Sequence, residues 1–152
     1  MVNKISSLFL AFLLTLTHMA CGGNTNGGKT VAKHSTDVTI KLIFNNEELT
    51  VSMIDNPTSR DFMKRLPITL TFEDYAATEK ISRLEKSLSI EDAPSGTDPF
   101  VGDFAYYSPW GNLAIFYRNF GYSNGLVKLG YIETGVEKLA KISGNYTVVQ
   151  RK

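Results

Sequence analysis

The sequence predicts a mainly β domain, a closed barrel or sandwich of about eight short strands with two short helices. Three observations predict it. Apolar residues recur at every second position in one short segment after another, the period of a strand with one buried face. Asn, Gly and Pro clusters punctuate those segments at short spacing. Beyond the N-terminal apolar run, helix-like patterning is confined to two short stretches.

The first twenty residues differ from the rest. Lys4 is their only charge, and residues 5–16 run mostly apolar. A membrane-spanning helix needs about 20 apolar residues. This run is shorter, has a basic residue in front and ends in small residues, which makes residues 1–20 an expected signal peptide. It stops at Thr17-His-Met-Ala-Cys-Gly-Gly. Cys21 is the single cysteine, placed where a lipoprotein signal peptidase would leave it as the new N-terminus. Lipidation of its thiol is expected, with the membrane as partner through that anchor. The expected location is the bacterial cell envelope, as an exported lipoprotein on the periplasmic or surface side. Ala20 suits the position before the cysteine, whereas His18 stands where Leu, Val or Ile is usual. The alternative is an ordinary secretory signal cleaved nearby. Residues 21–36 are Gly-rich and polar without a hydrophobic period, and read as a flexible tether.

Residues 37–150 suffice for one domain. Of the 16 basic residues only Lys4 precedes Cys21, which leaves 15 against 15 acidic ones and a formal charge of zero. With no basic block, nothing points to nucleic acid. The only histidines are His18 and His34, so the domain has neither His nor Cys. That excludes His-based triads, Cys nucleophiles and His/Cys zinc sites from it. The acidic residues are spread out, and no metal or cofactor is expected. A lone cysteine forms no intramolecular disulfide, so the core alone must hold the fold.

Val38, Ile40, Leu42 and Phe44 alternate, Asn45-Asn46 tolerates positive φ, and Leu49, Val51 and Met53 alternate again. This reads as a β-hairpin. Asp55-Asn-Pro breaks the strand. Thr58 is expected to cap a short helix, with Asp61 in a capping-box-like position, Phe62 and Leu66 on one face and Pro67 as the stop. Residues 68–72 form the next strand, and residues 79–84 a weaker one. Residues 89–100 carry Pro94, Gly96 and Pro99 and read as a long loop, often a functional surface. Strands are expected at 104–107, 113–117, 127–132 and 146–150, with turns at 108–112 and 121–125 and a short helix near 136–142.

Several segments bear a joint likeness: Phe100-Val-Gly-Asp-Phe-Ala-Tyr-Tyr, Pro109-Trp-Gly-Asn-Leu-Ala-Ile-Phe-Tyr, Gly121-Tyr-Ser, Lys128-Leu-Gly-Tyr-Ile, and before them Asp55-Asn-Pro-Thr-Ser-Arg-Asp-Phe and Leu66-Pro-Ile-Thr-Leu-Thr-Phe-Glu-Asp-Tyr. Together they resemble the bacterial cyclophilin-like domain family. The resemblance implies a closed eight-stranded cyclophilin-like β-barrel with two short capping helices over residues 37–150. True cyclophilins are prolyl isomerases with a Phe-His-Arg motif whose arginine catalyses the rotation. This chain has no such triplet, and its single glutamine is Gln150.

Prolyl isomerisation needs no nucleophile, because its barrier is amide resonance, about 18–20 kcal/mol. A donor to the imide nitrogen and an apolar pocket for the ring lower it. Arg60, Arg65, Arg83 and Arg118 are donors, and Arg118, next to the aromatic cluster in sequence, is the candidate catalytic residue. Tyr106, Trp110, Phe116 and Tyr122 are candidate ligand-binding walls, with Asn112 beside them. Phe104, Tyr106, Leu113, Ile115 and Tyr117 also have the period of barrel core. Trp110 on its turn is either a lid over the barrel end or an exposed recognition element. Asn112 is expected to hold the turn, with facing a ligand as its other role. Glu79 and Lys80 face opposite sides of a strand and are expected to be solvated charges. Asp74-Tyr75 lines a cleft or ends a strand, and Gly102-Asp103 is an expected turn.

The expected function is an exported module that binds a peptide or small ligand, without true prolyl isomerase activity. The alternative is a peptidyl-prolyl cis-trans isomerase acting on exported proteins, with Arg118 as donor. A third reading is a structural partner in an envelope assembly.

Overall fold

The computed structural model describes residues 35–141 and 144–150, with side chains over 38–141 and 144–148. The expected signal peptide, Cys21 and the tether up to residue 34 lie outside the described residues.

Strands β1 (Ser35–Phe44) and β2 (Glu47–Ile54) lead into helix α1 (Pro57–Met63), then β3 (Ile68–Tyr75) and β4 (Glu79–Arg83). Two-residue β5 (Gly96–Thr97) interrupts the long loop before β6 (Asp103–Tyr107) and β7 (Asn112–Phe116). β8 (Ser123–Asn124), β9 (Leu126–Thr134), a 3₁₀ helix (Val136–Lys141) and β10 (Gly144–Gln150) complete the order. Eight strands close into an antiparallel barrel, β1-β10-β3-β4-β7-β6-β9-β2, while β5 and β8 pair separately. An eight-stranded barrel is just wide enough for side chains to fill it.

The first hairpin turns as its sequence expects. Phe44 pairs with Glu47, and the intervening Asn45 and Asn46 take φ of 43° and 62°. Two left-handed residues match the twist of the strands they join, and Asn tolerates that region. The alternating residues Ile40, Leu42, Phe44, Leu49, Val51 and Met53 belong to the buried core. Tyr146 lies between two aromatic neighbours, its ring centroid 4.6 Å from Phe44 and 4.9 Å from Phe72. Phe62 of α1 packs edge-on to Phe104 at 5.4 Å and contributes to the same core. β2 and β9 run antiparallel, so α1 and the 3₁₀ helix, which follow them, cover opposite ends of the barrel.

Asn56, not Thr58, caps α1: its Oδ1 accepts from Ser59 N at 2.8 Å while its Nδ2 donates to Lys128 O at 2.9 Å. The reason is Pro57, whose fixed φ and missing N–H suit the first helical position and make the residue before it the cap. Thr58 is buried inside the helix. Asp61, freed from capping, accepts from Ser89 N and from Arg65 Nη2, each at 2.9 Å, and so ties the helix to the long loop. The Ser89 amide first, and then Arg65, hold its carboxyl below the usual value.

Candidate functional site

A strand sends alternate side chains to opposite faces, so the barrel wall has an outer surface with its own packing. On it Ala105, Ala114, Phe116 and Leu126 form a second buried cluster, separate from the interior, with Ile81 and Tyr107 against it. Ala105 pairs with Ala114 across β6 and β7, and two methyl groups side by side leave the sheet surface low between larger neighbours. The result is a cleft of about 240 Å³, walled by Tyr75, Tyr107, Trp110, Phe116 and Phe120, with Glu79 and Asn112 among its polar groups.

Trp110 closes over this surface. It sits in the turn between β6 and β7, where both Trp110 N and Gly111 N bond to Tyr107 O at 3.3 and 3.0 Å. Gly111 supplies the φ of 68° that the turn requires. The indole meets Tyr107 edge-to-face at 5.4 Å and Tyr75, from the end of β3, at 5.5 Å. It remains 44% exposed, so one side of the ring is braced and the other is available. Trp110 is therefore an exposed element on the barrel's side.

The polar groups of the cleft are underused. Asn112 is buried, its Nδ2 donates to Leu113 O at 3.1 Å, and its Oδ1 has no partner among the described residues. It makes none of the turn-holding bonds expected of it. Buried polar atoms are normally paired, and an exception calls for a reason. Glu79 is half-buried and is given no hydrogen bond or ion pair by the described residues. Burial alone pushes its carboxyl up to about 7. A larger groove of about 720 Å³ opens where β3 and β4 part beyond Glu73 and Ile81, lined in part by Arg65, Arg83, Lys86, Glu73 and Glu85. Its charges are mixed and mostly on the surface, whereas ligand sites are typically apolar with a few placed polar groups. The aromatic cleft is the better candidate.

The family model of the cyclophilin-like family matches residues 42–150. The chain belongs to the cyclophilin-like family. It is also similar to the solution structure of a hypothetical protein from Archaeoglobus fulgidus, with 18% identity, 79% of this chain and 98% of that chain covered, and a TM-score of 0.54. At that identity the likeness shows the fold. No curated protein matches the chain significantly.

Within this cyclophilin-like barrel, Trp110, Asn112 and Phe116 come together in one cleft. The other expected site residues lie elsewhere. Tyr106 points into the barrel, 1% exposed, and its hydroxyl accepts from Leu88 N at 3.1 Å. Its place in the alternation, one residue before outward Tyr107, decides this. Tyr122 is exposed, and its hydroxyl braces the long loop through Ser95 Oγ at 3.0 Å. Gly96 lies beneath it, where a Cβ would stand 2.8 Å from that hydroxyl and 2.3 Å from Ser123 O. Arg118 is exposed and does not line the cleft; its backbone N bonds to Thr78 O at 3.2 Å.

Tyr75, Tyr107, Phe120 and Glu79 complete the cleft of the cyclophilin-like domain. The sequence signal for Glu79 was its parity with outward Ile81. Asp74 and Tyr75 do both things open to them: they end β3, and Tyr75 also lines the cleft. Among the described residues no three His, Cys, Asp or Glu side chains gather to hold a metal ion, and no helix is long and apolar enough to cross a membrane.

Proposed function

We propose that this cyclophilin-like chain is an exported, lipid-anchored binding module that takes a peptide or small ligand in the aromatic cleft. The observation that carries the reading is Trp110, held by Tyr75 and Tyr107 yet 44% exposed, beside a buried Asn112 oxygen that no described residue bonds. Large exposed aromatics are costly to leave in water and are favoured at binding sites. Export and anchoring rest on the N-terminal apolar run and on Cys21. Binding stands ahead of prolyl isomerisation because Arg118, the donor the isomerase reading needs, is off the cleft.

The test is a titration of the full chain with short peptides, with and without X-Pro bonds, followed through Trp110 emission and through the rate of prolyl exchange. Uncatalysed exchange takes about 10–100 s at 25 °C, so modest acceleration is visible. The expected result is a response of Trp110 with no acceleration. Acceleration that disappears in Arg118→Ala would replace binding by catalysis.

A further inference from the structure

The walls and polar groups of the cleft favour one kind of occupant. Trp110 meets Tyr75 at 85° and Tyr107 at 79° between ring planes, so each junction turns the face of one ring toward the edge of the next. Ring faces carry negative potential and attract a cation within about 6 Å of the centroid. Glu79 stands among these rings, and among the described residues no Lys or Arg lines the cleft to neutralise it. Asn112 adds a buried acceptor oxygen that no described residue bonds. At about 240 Å³ the space is smaller than the sites that enclose drug-sized ligands, roughly 300–1,000 Å³, and suits a single head group.

We infer that the cleft binds an alkylated ammonium head group, carried by a lysine side chain of a peptide or by a small quaternary amine. The inference rests on the reading of the cleft as a binding site. The rings hold the methylene or methyl groups, Glu79 supplies the counter-charge, and Asn112 Oδ1 accepts from an N–H where the ammonium retains one.

Such a ligand couples to the ionisation of Glu79. A cation opposite the carboxyl favours its charged form, so binding tightens as pH rises through about 7, and bound ligand draws that pKa down by the same factor. The groups that face Glu79 add little charge of their own. Tyr75 from β3 and Tyr107 from β6 are phenols, Phe116 and Asn112 from β7 do not titrate, and Arg118 beyond β7 lies off the cleft. Lys80 and Asp74 are paired with each other.

Trp110 is the only tryptophan in the chain, so the emission of the full-length protein reports directly on the cleft. The titrants are choline, its uncharged isostere 3,3-dimethylbutanol, and short peptides carrying lysine or trimethyllysine. Choline or the peptides are expected to shift the emission, with the isostere about tenfold weaker, the order of a cation–π contact plus a charge partner. Glu79→Gln, which keeps the side chain's shape, is expected to lose about the same factor and to flatten the pH dependence. Tighter binding of the peptides puts the cation on a polypeptide; tighter binding of choline puts it on a small molecule. Equal binding of choline and the isostere overturns the inference and leaves an apolar binding site, so the broader reading survives. Silence of Trp110 toward every titrant, X-Pro peptides included, overturns both.

Discussion

Glu79 and Lys80 are neighbours in the chain with opposite surroundings. Glu79 joins the aromatic cleft outside the barrel, without a hydrogen-bond or ion-pair partner among the described residues. Lys80 is 3% exposed and reaches Asp74 Oδ2 at 2.9 Å, on a carboxylate that also accepts the Tyr117 hydroxyl at 2.6 Å. The pleat of β4 separates the two charges, giving one a partner and leaving the other without. The Tyr117 hydroxyl first, and then Lys80, hold the Asp74 carboxyl below its usual range, while burial and Asp74 together push the Tyr117 hydroxyl up to about 12.

The Lys80 pair makes an acid-sensitive contribution to stability. Removal of Asp74 strands a buried ammonium, so Asp74→Asn is expected to destabilise by about 1–3 kcal/mol. That is less than the ~3–5 of a fully buried pair, because the Asp74 side chain is 42% exposed and water screens it. A depressed folded pKa gives stability that is present above the unfolded value of about 4 and is lost as pH falls through the folded one. Denaturant unfolding at a series of pH values should show a larger loss in the native chain than in Asp74→Asn, which keeps only the smaller acid sensitivity of groups such as Asp61.

Glu79 has the opposite sign. Its folded pKa of about 7 exceeds the unfolded one, so the folded chain holds its proton more tightly between about 4.5 and 7. Stability from this group is full below that window and falls as pH rises through it. Glu79→Gln removes the cost of the buried charge and should stabilise the chain at about pH 8 by roughly 1–2 kcal/mol, after discounting for partial exposure. Near pH 4 the two proteins should melt together; a constant difference at all pH values would contradict the assignment.

Trp110 and Phe116 should separate binding from stability. Trp110 is 44% exposed and Phe116 is 3% exposed. Trp110→Ala is expected to weaken ligand binding at least about tenfold while it costs under about 1 kcal/mol of fold. Phe116→Ala should cost about 3 kcal/mol or more through the cavity it leaves. Calorimetric melting alongside calorimetric titration measures both quantities without relying on the tryptophan.

Tyr146 carries a hydroxyl that burial pushes up to about 12 and that no described residue bonds. Tyr146→Phe keeps the contacts with Phe44 and Phe72 and removes the unsatisfied group, so it should stabilise by about 1 kcal/mol. A drop in melting temperature would show that the hydroxyl has a partner after all.

Much of the barrel was legible in the chain because its signals are local. The Asn45-Asn46 turn, the alternation from Ile40 to Met53 and the glycine turn at Gly102, with φ of 91°, depend on residues a few positions apart. The cap of α1 was misread by two positions because Thr58 and Asn56 are both capping types, and Pro57 decides between them. That Trp110, Asn112 and Phe116 share one cleft was legible from one stretch of sequence, since the turn and strand that hold them are contiguous.

The sequence by itself determined the period-two strands, the turn residues and hence a mainly β domain, because steric and hydrophobic preferences act over a few residues. Closure into a barrel depends on pairings between distant strands. Only the tertiary structure decided which aromatics share a space. Tyr75 and Trp110 lie far apart in the chain and touch at 5.5 Å because β4 joins β3 to β7 in the closed sheet. The same closure set Glu79 among rings and paired Lys80 with Asp74. Burial and electrostatic environment arise from contacts between strands, and a residue's own neighbours in sequence do not specify them.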